Sequence, residues 1–276
     1  MLFRSINFSS YKSIENSNKN IVRITIQKPT IAPIIHKIEN FEIKKLEDVK
    51  SVSLPVSNQE MVCINKSADI QEVNLPDGSK IFLNKNASIS YAKDFDKRRF
   101  IKFTGEAYFE VKKMNGLPFT IEGKQSIITV LGTSFNVKFD SITGIEKVEV
   151  VSGKVKFESI KLKKNNLILT KGFSGTNDKL ENNLIKESIS NINFMAWKDK
   201  NLVFVDAPLS QVLQDLEHCY GVKIEMPSTQ LLKCRFTGNF KNESLDKVSK
   251  LIASTLDLEL HHTTKSITFT GKGCTE

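Results

Sequence analysis

Two carboxylates, Glu106 and Glu110, are the strongest acid/base candidates in the chain. They flank the alternating run GEAYFEV, and strand periodicity places both on the same face. General acid/base chemistry needs a partner group to share the proton, and no His or Asp stands near them in sequence. Both are therefore read as solvent-facing strand residues. The histidines are His36, His218, His261 and His262, and a surface position is expected for all four. Adjacent strand residues point to opposite faces, so His261 and His262 do not readily ligate one metal together. Cys63, Cys219, Cys234 and Cys274 show neither Cys-x-x-Cys spacing nor a His partner at zinc-ligand spacing, so no metal site or cofactor is expected. They are too sparse for a disulfide-built scaffold, although an oxidising compartment permits one bridge, and whether Cys219 pairs with Cys234 stays open. Cys219 falls on a helix face as a small buried hydrophobe.

Leu131-Gly132-Thr133-Ser134-Phe135-Asn136 invites a nucleophilic reading, but the glycine ends one strand and alternation resumes at Phe135, which a tight turn explains. No Gly-x-Ser-x-Gly elbow, phosphate-cradling loop or His-Glu-x-x-His helix is present. A binding or regulatory module is thus favoured over an enzyme.

The chain has 276 residues with a formal net charge of +9, from 40 Lys+Arg against 31 Asp+Glu. Its lysines are dispersed, and the tight clusters Lys97-Arg98-Arg99 and Lys161 to Lys164 lie between strand-like runs. They read as solvated turns, and no nucleic-acid partner is expected. With 39% hydrophobic and 26% charged residues, the composition is that of an ordinary globular protein. No apolar run approaches the roughly 18 residues of a spanning helix. The first residues, MLFRSINFSSYKSIENSNKN, lack the apolar core of a secretory signal.

These residues must be positioned by two kinds of element. Residues 1–60 read as an irregular, β-prone N-terminal segment. From Val73 to about Thr170, apolar residues alternate in short runs such as Ile81/Leu83, Ala107/Phe109/Val111 and Phe135/Val137/Phe139. Turn residues separate them every 8 to 12 positions, which predicts an all-β sandwich or solenoid over residues 61–176 without crossover helices. Pro76-Asp77-Gly78-Ser79 predicts a hairpin turn within Val73 to Leu83. A polar stretch, residues 177–195, reads as a linker.

Beyond it the period becomes helical. Leu209, Val212, Leu213, Leu216 and Tyr220 line one helix face, with Asp206 as cap, Pro208 in the first turn and Gly221 as stop. Trp197 and Phe194, just ahead of this helix, are expected to plug the domain core or the interdomain seam. The pattern recurs 36 residues later, with Phe204 mapping on Phe240, Asp206 on Asn242, Leu216 on Ile252 and Ile224 on Leu260. Two strand-helix-strand units and a final strand, Ser266 to Thr270, predict a small α+β domain over residues 196–276. The fold class is therefore mainly β, with an α+β C-terminal domain.

The runs LPDGSKIFLNKNASISY (Leu75 to Tyr91), FTGEAYFEV (Phe103 to Val111), PFTI (Pro118 to Ile121), VLGTSFNV (Val130 to Val137) and VVSGKV (Val150 to Val155) together resemble the FecR family. WKDKNLVFVDAPLSQVLQDLEHCYGVKIE (Trp197 to Glu225) and FTGNFKNESLDKV (Phe236 to Val248) look like the C-terminal domain of Bacteroidetes-type FecR proteins, itself similar to the short N-terminal domains of secretins and TonB-dependent transducers. The resemblance implies an inner-membrane regulator of an extracytoplasmic-function sigma factor. Its periplasmic part would receive a signal from the N-terminal signalling domain of a TonB-dependent outer-membrane transporter. The family's sigma-binding helical segment and membrane anchor have no counterpart in residues 1–60, so the expectation is either a periplasmic portion whose anchor is lost or a divergent protein with a different N-terminus. An exposed edge at Ser266 to Thr270, with Lys265, Ile267 and Phe269, is the expected transporter contact. The competing reading is a carbohydrate-binding or envelope-polymer-processing β domain.

Overall fold

The computed structural model describes residues 60–114, 116–161, 166–178, 183–225, 228, 230–263, 266–272 and 274. They belong to one compact unit, Val56–Glu276. Residues 1–59 of the expected irregular segment, with His36, and also Lys163, Lys164 and Lys265 lie outside the described residues.

Thirteen strands build the first domain: β1 (Glu60–Ile64), β2 (Gln71–Asn74), β3 (Lys80–Leu83), β4 (Ser88–Ala92), β5 (Phe100–Glu110), β6 (Phe119–Glu122) and β7 (Ser126–Val130), then β8 (Ser134–Phe139), β9 (Ile145–Ser152), β10 (Lys154–Ser159), β11 (Asn166–Thr170), β12 (Phe173–Asp178) and β13 (Asn183–Ser188). They form one continuous sheet folded into two layers, in the order β11-β10-β7-β6-β5-β8-β9-β12-β13, with β1-β4 and β2-β3 attached along β5. Strand β5 belongs to both layers. Its first half pairs with β4 and β6, and its second half with β3 and β8. The bend falls at Gly105, whose φ is +91°. A Cβ there would stand 2.7 Å from Ala87 Cα, so the chain requires glycine both for its backbone angle and for the close approach.

The odd-numbered residues of β5 enter the core, where Phe109 stacks on Phe135 at 5.3 Å and meets Phe103 edge-on at 5.4 Å. Pairing is antiparallel apart from a three-residue parallel match of β5 with β6. The expected hairpin is β2-β3, with Gly78 at φ +81° in its turn.

Two expectations for this domain are corrected. The polar 177–195 stretch is no simple linker, because β13 pairs in full register with β12 and extends the sandwich to Ser188. An edge strand needs few apolar residues, and Leu184 is the one buried side chain of β13. The Lys97-Arg98-Arg99 cluster is only partly a solvated turn. Lys97 and Arg98 are exposed at the end of the one-turn helix α1 (Phe95–Arg98), whereas Arg99 is fully buried. The Arg99 guanidinium lies 2.7 Å from Asp77 Oδ2, donates to the carbonyls of Leu117 and Lys112, and packs over the Phe119 ring.

The second domain begins with α2 (Ala196–Asp199) and contains β14 (Asn201–Pro208), α3 (Leu209–Tyr220), β15 (Lys223–Glu225), β16 (Arg235–Lys241), α4 (Leu245–Thr255), β17 (Glu259–His262) and β18 (Ser266–Thr270). The 36-residue repeat survives in the backbone. Asp206 and Asn242 take φ of +47° and +54°, Gly221 caps α3 at +66°, and Asp257 takes +53° just after Leu256, the C-cap of α4. Both helices bury one face in a common core with Phe204, Phe236, Phe240 and Phe269. Asp206 does not cap α3: the N-cap is Pro208, which has no capping side chain, and Asp206 instead pairs with Arg235 across the β14-β16 ladder. In the second repeat the cap is Ser244, whose hydroxyl accepts from Lys247 N. A Cys234–Cys274 disulfide, 40 residues in separation, ties the tail to the strand that opens the second repeat.

The Ser266–Thr270 edge expectation is also corrected. Strand β18 lies in the middle of its sheet, parallel to β15 and antiparallel to β17. Ile267 and Phe269 are buried at 5% and 0% exposure, so neither side chain is displayed to a partner.

Asp77→Ala leaves Arg99 as an unpaired buried charge and should cost about 3–5 kcal/mol in urea unfolding. Asp94→Ala breaks the exposed Arg98–Asp94 pair and should change stability by less than about 0.5 kcal/mol. Equal effects would show that burial does not govern these pairs.

Candidate functional site

The even-numbered residues of β5 point away from the sandwich core, and in an isolated sheet they would meet water. Here the second domain covers Glu106 and Tyr108, in the second half of the strand, while Lys102 and Thr104 in the first half stay exposed. Across the outer face, Phe82 of β3 lies opposite Tyr108 of β5, Tyr108 opposite Asn136 of β8, and Asn136 opposite Glu149 of β9. The adjoining row sets Glu106 against Lys138, and Lys138 against Lys147.

His218, on the last turn of α3, reaches this face. Its Nε2 lies 2.8 Å and 2.9 Å from the two Glu106 carboxylate oxygens. Asn84 Nδ2 donates to Glu106 Oε2 at 3.0 Å, and Asn136 Nδ2 lies 3.3 Å from both Glu106 Oε1 and Glu149 Oε2. Lys147 Nζ donates to Glu149 Oε1 at 2.7 Å. Lys198 of α2 places its ammonium 4.3 Å from the Phe82 ring centroid and 4.8 Å from that of Tyr108. Glu106 and Tyr108 are both only 7% exposed. Beside the pair, a cavity of about 150 Å³ is bounded by Ile70 and Asn84 from the sandwich and by Trp197, Lys200 and His218 from the second domain.

Burial raises the Glu106 carboxyl, but the hydrogen bond and charge of His218, together with Lys138 and Asn84, outweigh it and hold its pKa below the ordinary carboxylate value. The solvent-facing expectation for Glu106 and the surface expectation for His218 are thus corrected. Each is set by the domain opposite, which strand periodicity does not register. Glu110, on the same face, stays half-buried and outside this network. His261 and His262 are exposed on β17. Trp197 is buried at the seam, as its position ahead of the helical repeat suggests. Cys219 is a buried thiol that burial pushes up to about 11, and it is not bonded to Cys234.

A second concavity, of about 400 Å³, opens at one end of the sandwich between Phe103, Phe139 and Ile142, with Lys124 and Glu146 in its wall. The Glu146 carboxyl is raised by burial and accepts the backbone N–H groups of Lys124 and Gln125. Among the described residues no cluster of His, Cys, Asp and Glu could hold a metal ion, and no helix is long and apolar enough to cross a membrane.

A thirteen-stranded sandwich, joined to a tandem strand-helix-strand domain that docks through a carboxylate–imidazole pair, is a two-domain scaffold of defined class. Residues 65–156 match the FecR protein family and residues 201–269 match the FecR C-terminal family. The chain belongs to the FecR family. Two crystal structures of a candidate anti-sigma factor from Parabacteroides distasonis ATCC 8503, at 2.50 and 1.65 Å resolution, share 25% identity with it at a TM-score of 0.60. They cover 78% and 77% of this chain and 100% of their own. No curated protein gave a match.

The Glu106 pKa is lowered on folding, so the stability its ionised form contributes is complete above the ordinary carboxylate range. It is lost as pH falls through the folded value. Glu106→Gln should cost about 1–3 kcal/mol at neutral pH, and the urea midpoints of the two proteins should converge as acidification takes Glu106 through its lowered folded value. A constant difference across that range would remove Glu106 ionisation from the seam. Iodoacetamide applied to the folded protein at about pH 8 should alkylate Cys63 and spare Cys219, as read by peptide mass spectrometry.

Proposed function

We propose that this chain is the signal-receiving part of a FecR-type sigma-factor regulator. It takes up the state of an outer-membrane TonB-dependent transporter through the transporter's N-terminal signalling domain and passes that state toward an extracytoplasmic-function sigma factor by protein–protein contact. The observation that carries this reading is that both FecR parts occur in one chain, in order, on a fold shared with a candidate anti-sigma factor over that protein's whole length. The FecR family belongs to envelope-associated signalling, and its members are regulators.

A periplasmic location is supported by the Cys234–Cys274 bridge, since disulfides persist in oxidising compartments. For the transporter contact, the buried β18 gives way to β17, which is hydrogen-bonded to β18 on one side and presents exposed side chains. Such an edge accepts an added strand. The aromatic and carboxylate residues that converge on the outer sheet face are covered by the second domain, so they do not form the open groove that a saccharide-binding domain would need.

The full chain, tagged and expressed in the periplasm, should capture the purified signalling domain of its cognate TonB-dependent transporter. The same chain ending at residue 195 should not. Capture by the truncated chain at undiminished yield would exclude the C-terminal domain as the receiver.

A further inference from the structure

Among the described residues, a small set of side chains ties the two domains together. They include His218 on Glu106 and Lys198 over Phe82 and Tyr108, beside the seam cavity. The connecting segment is tied at both ends and free between them. Ile189 N donates to Gly172 O in the sandwich. Asn191 and Asn193 donate their amides to the two carboxylate oxygens of Asp215 in the second domain, and Asn193 Oδ1 accepts from Val203 N. Exposed Ser190 is left as the pivot.

We propose that the Glu106–His218 pair is a latch that holds the second domain against the sandwich, and that its release swings the domain about Ser190 and uncovers the Phe82, Tyr108, Glu106 and Glu149 face. The argument is one of solvation. With the seam closed, Glu106 is dry and depends on His218, Asn84, Asn136 and the nearby Lys138 for its charge. Removal of His218 from the closed form strands a buried carboxylate, whereas opening returns it to water. A ligand or partner that claims either group therefore favours the open form. Short connections between domains with small polar interfaces move by default unless something pins them.

Trp197 reports on this without modification. It is the sole tryptophan, is 2% exposed and lines the seam cavity. In the full chain at neutral pH, His218→Ala removes a hydrogen bond to a charged group and should move the closed-to-open equilibrium about ten-fold or more toward open. Trp197 emission should then shift to the red, its quenching by acrylamide should rise, and the radius of gyration from X-ray scattering should increase with the far-UV spectrum unchanged. His218→Gln keeps a donor on α3 and should stay closed. Glu106→Gln leaves α3 untouched, so it serves as the second test if alanine loosens the helix, and it should open the seam partway. Unchanged quenching and radius in both His218→Ala and Glu106→Gln would overturn the latch.

Discussion

Strand β5 is the constraint on which the molecule depends. Eleven residues run through both layers of the sandwich, hydrogen-bonded to four neighbouring strands, and the passage between layers requires Gly105 to lie against Ala87 at a backbone angle that side chains resist. The bend aims one parity of the second half, Ala107 and Phe109, into the core. The other parity, Glu106 and Tyr108, faces the second domain. Core packing and domain docking therefore share one strand. A change that straightened β5 would disturb the aromatic stack on Phe135 and the carboxylate that meets His218 together.

The buried Arg99–Asp77 pair fixes the approach to that strand. Asp77 also accepts the N–H and hydroxyl of Ser79, so the β2-β3 turn, the start of β5 and the connection from β5 to β6 meet at one guanidinium. An ion pair in such a position contributes more to the uniqueness of the arrangement than to net stability, because desolvation offsets most of its Coulomb attraction. Its location is consistent with a structural role remote from the seam.

The sandwich strands and the tandem repeat were legible in the sequence because each rests on a local rule. Alternation marks a sheet with one buried face, and the i, i+3, i+4 stripe of Leu209, Val212 and Leu213 marks a helix on a core. What escaped those rules has a common cause. Glu106 and His218 occupy positions that each domain alone would leave in water, and they are buried by the other. Strand β13 is polar because it lies at an edge, so it carries no stripe to detect. Arg99 resembles its neighbours Lys97 and Arg98 in composition, and only the acceptors above it distinguish its fate. Strand β18 comes last in the chain, yet the parallel pairing with β15 encloses it and buries Ile267 and Phe269. Sequence order and spatial order diverge there.

The Cys234–Cys274 bridge has a mechanical consequence. It encloses the second strand-helix-strand unit and β18 in one covalent loop, so tension applied to the backbone beyond Cys274 bypasses them and enters at Cys234. The loaded backbone then runs from Cys234 back through β15 and α3 to β14, whose pairing with β16 shifts register between Phe204 and Ala207. Under a pull between the sandwich and the tail, α4 and β17 are shielded. The first repeat, which carries His218, takes the strain.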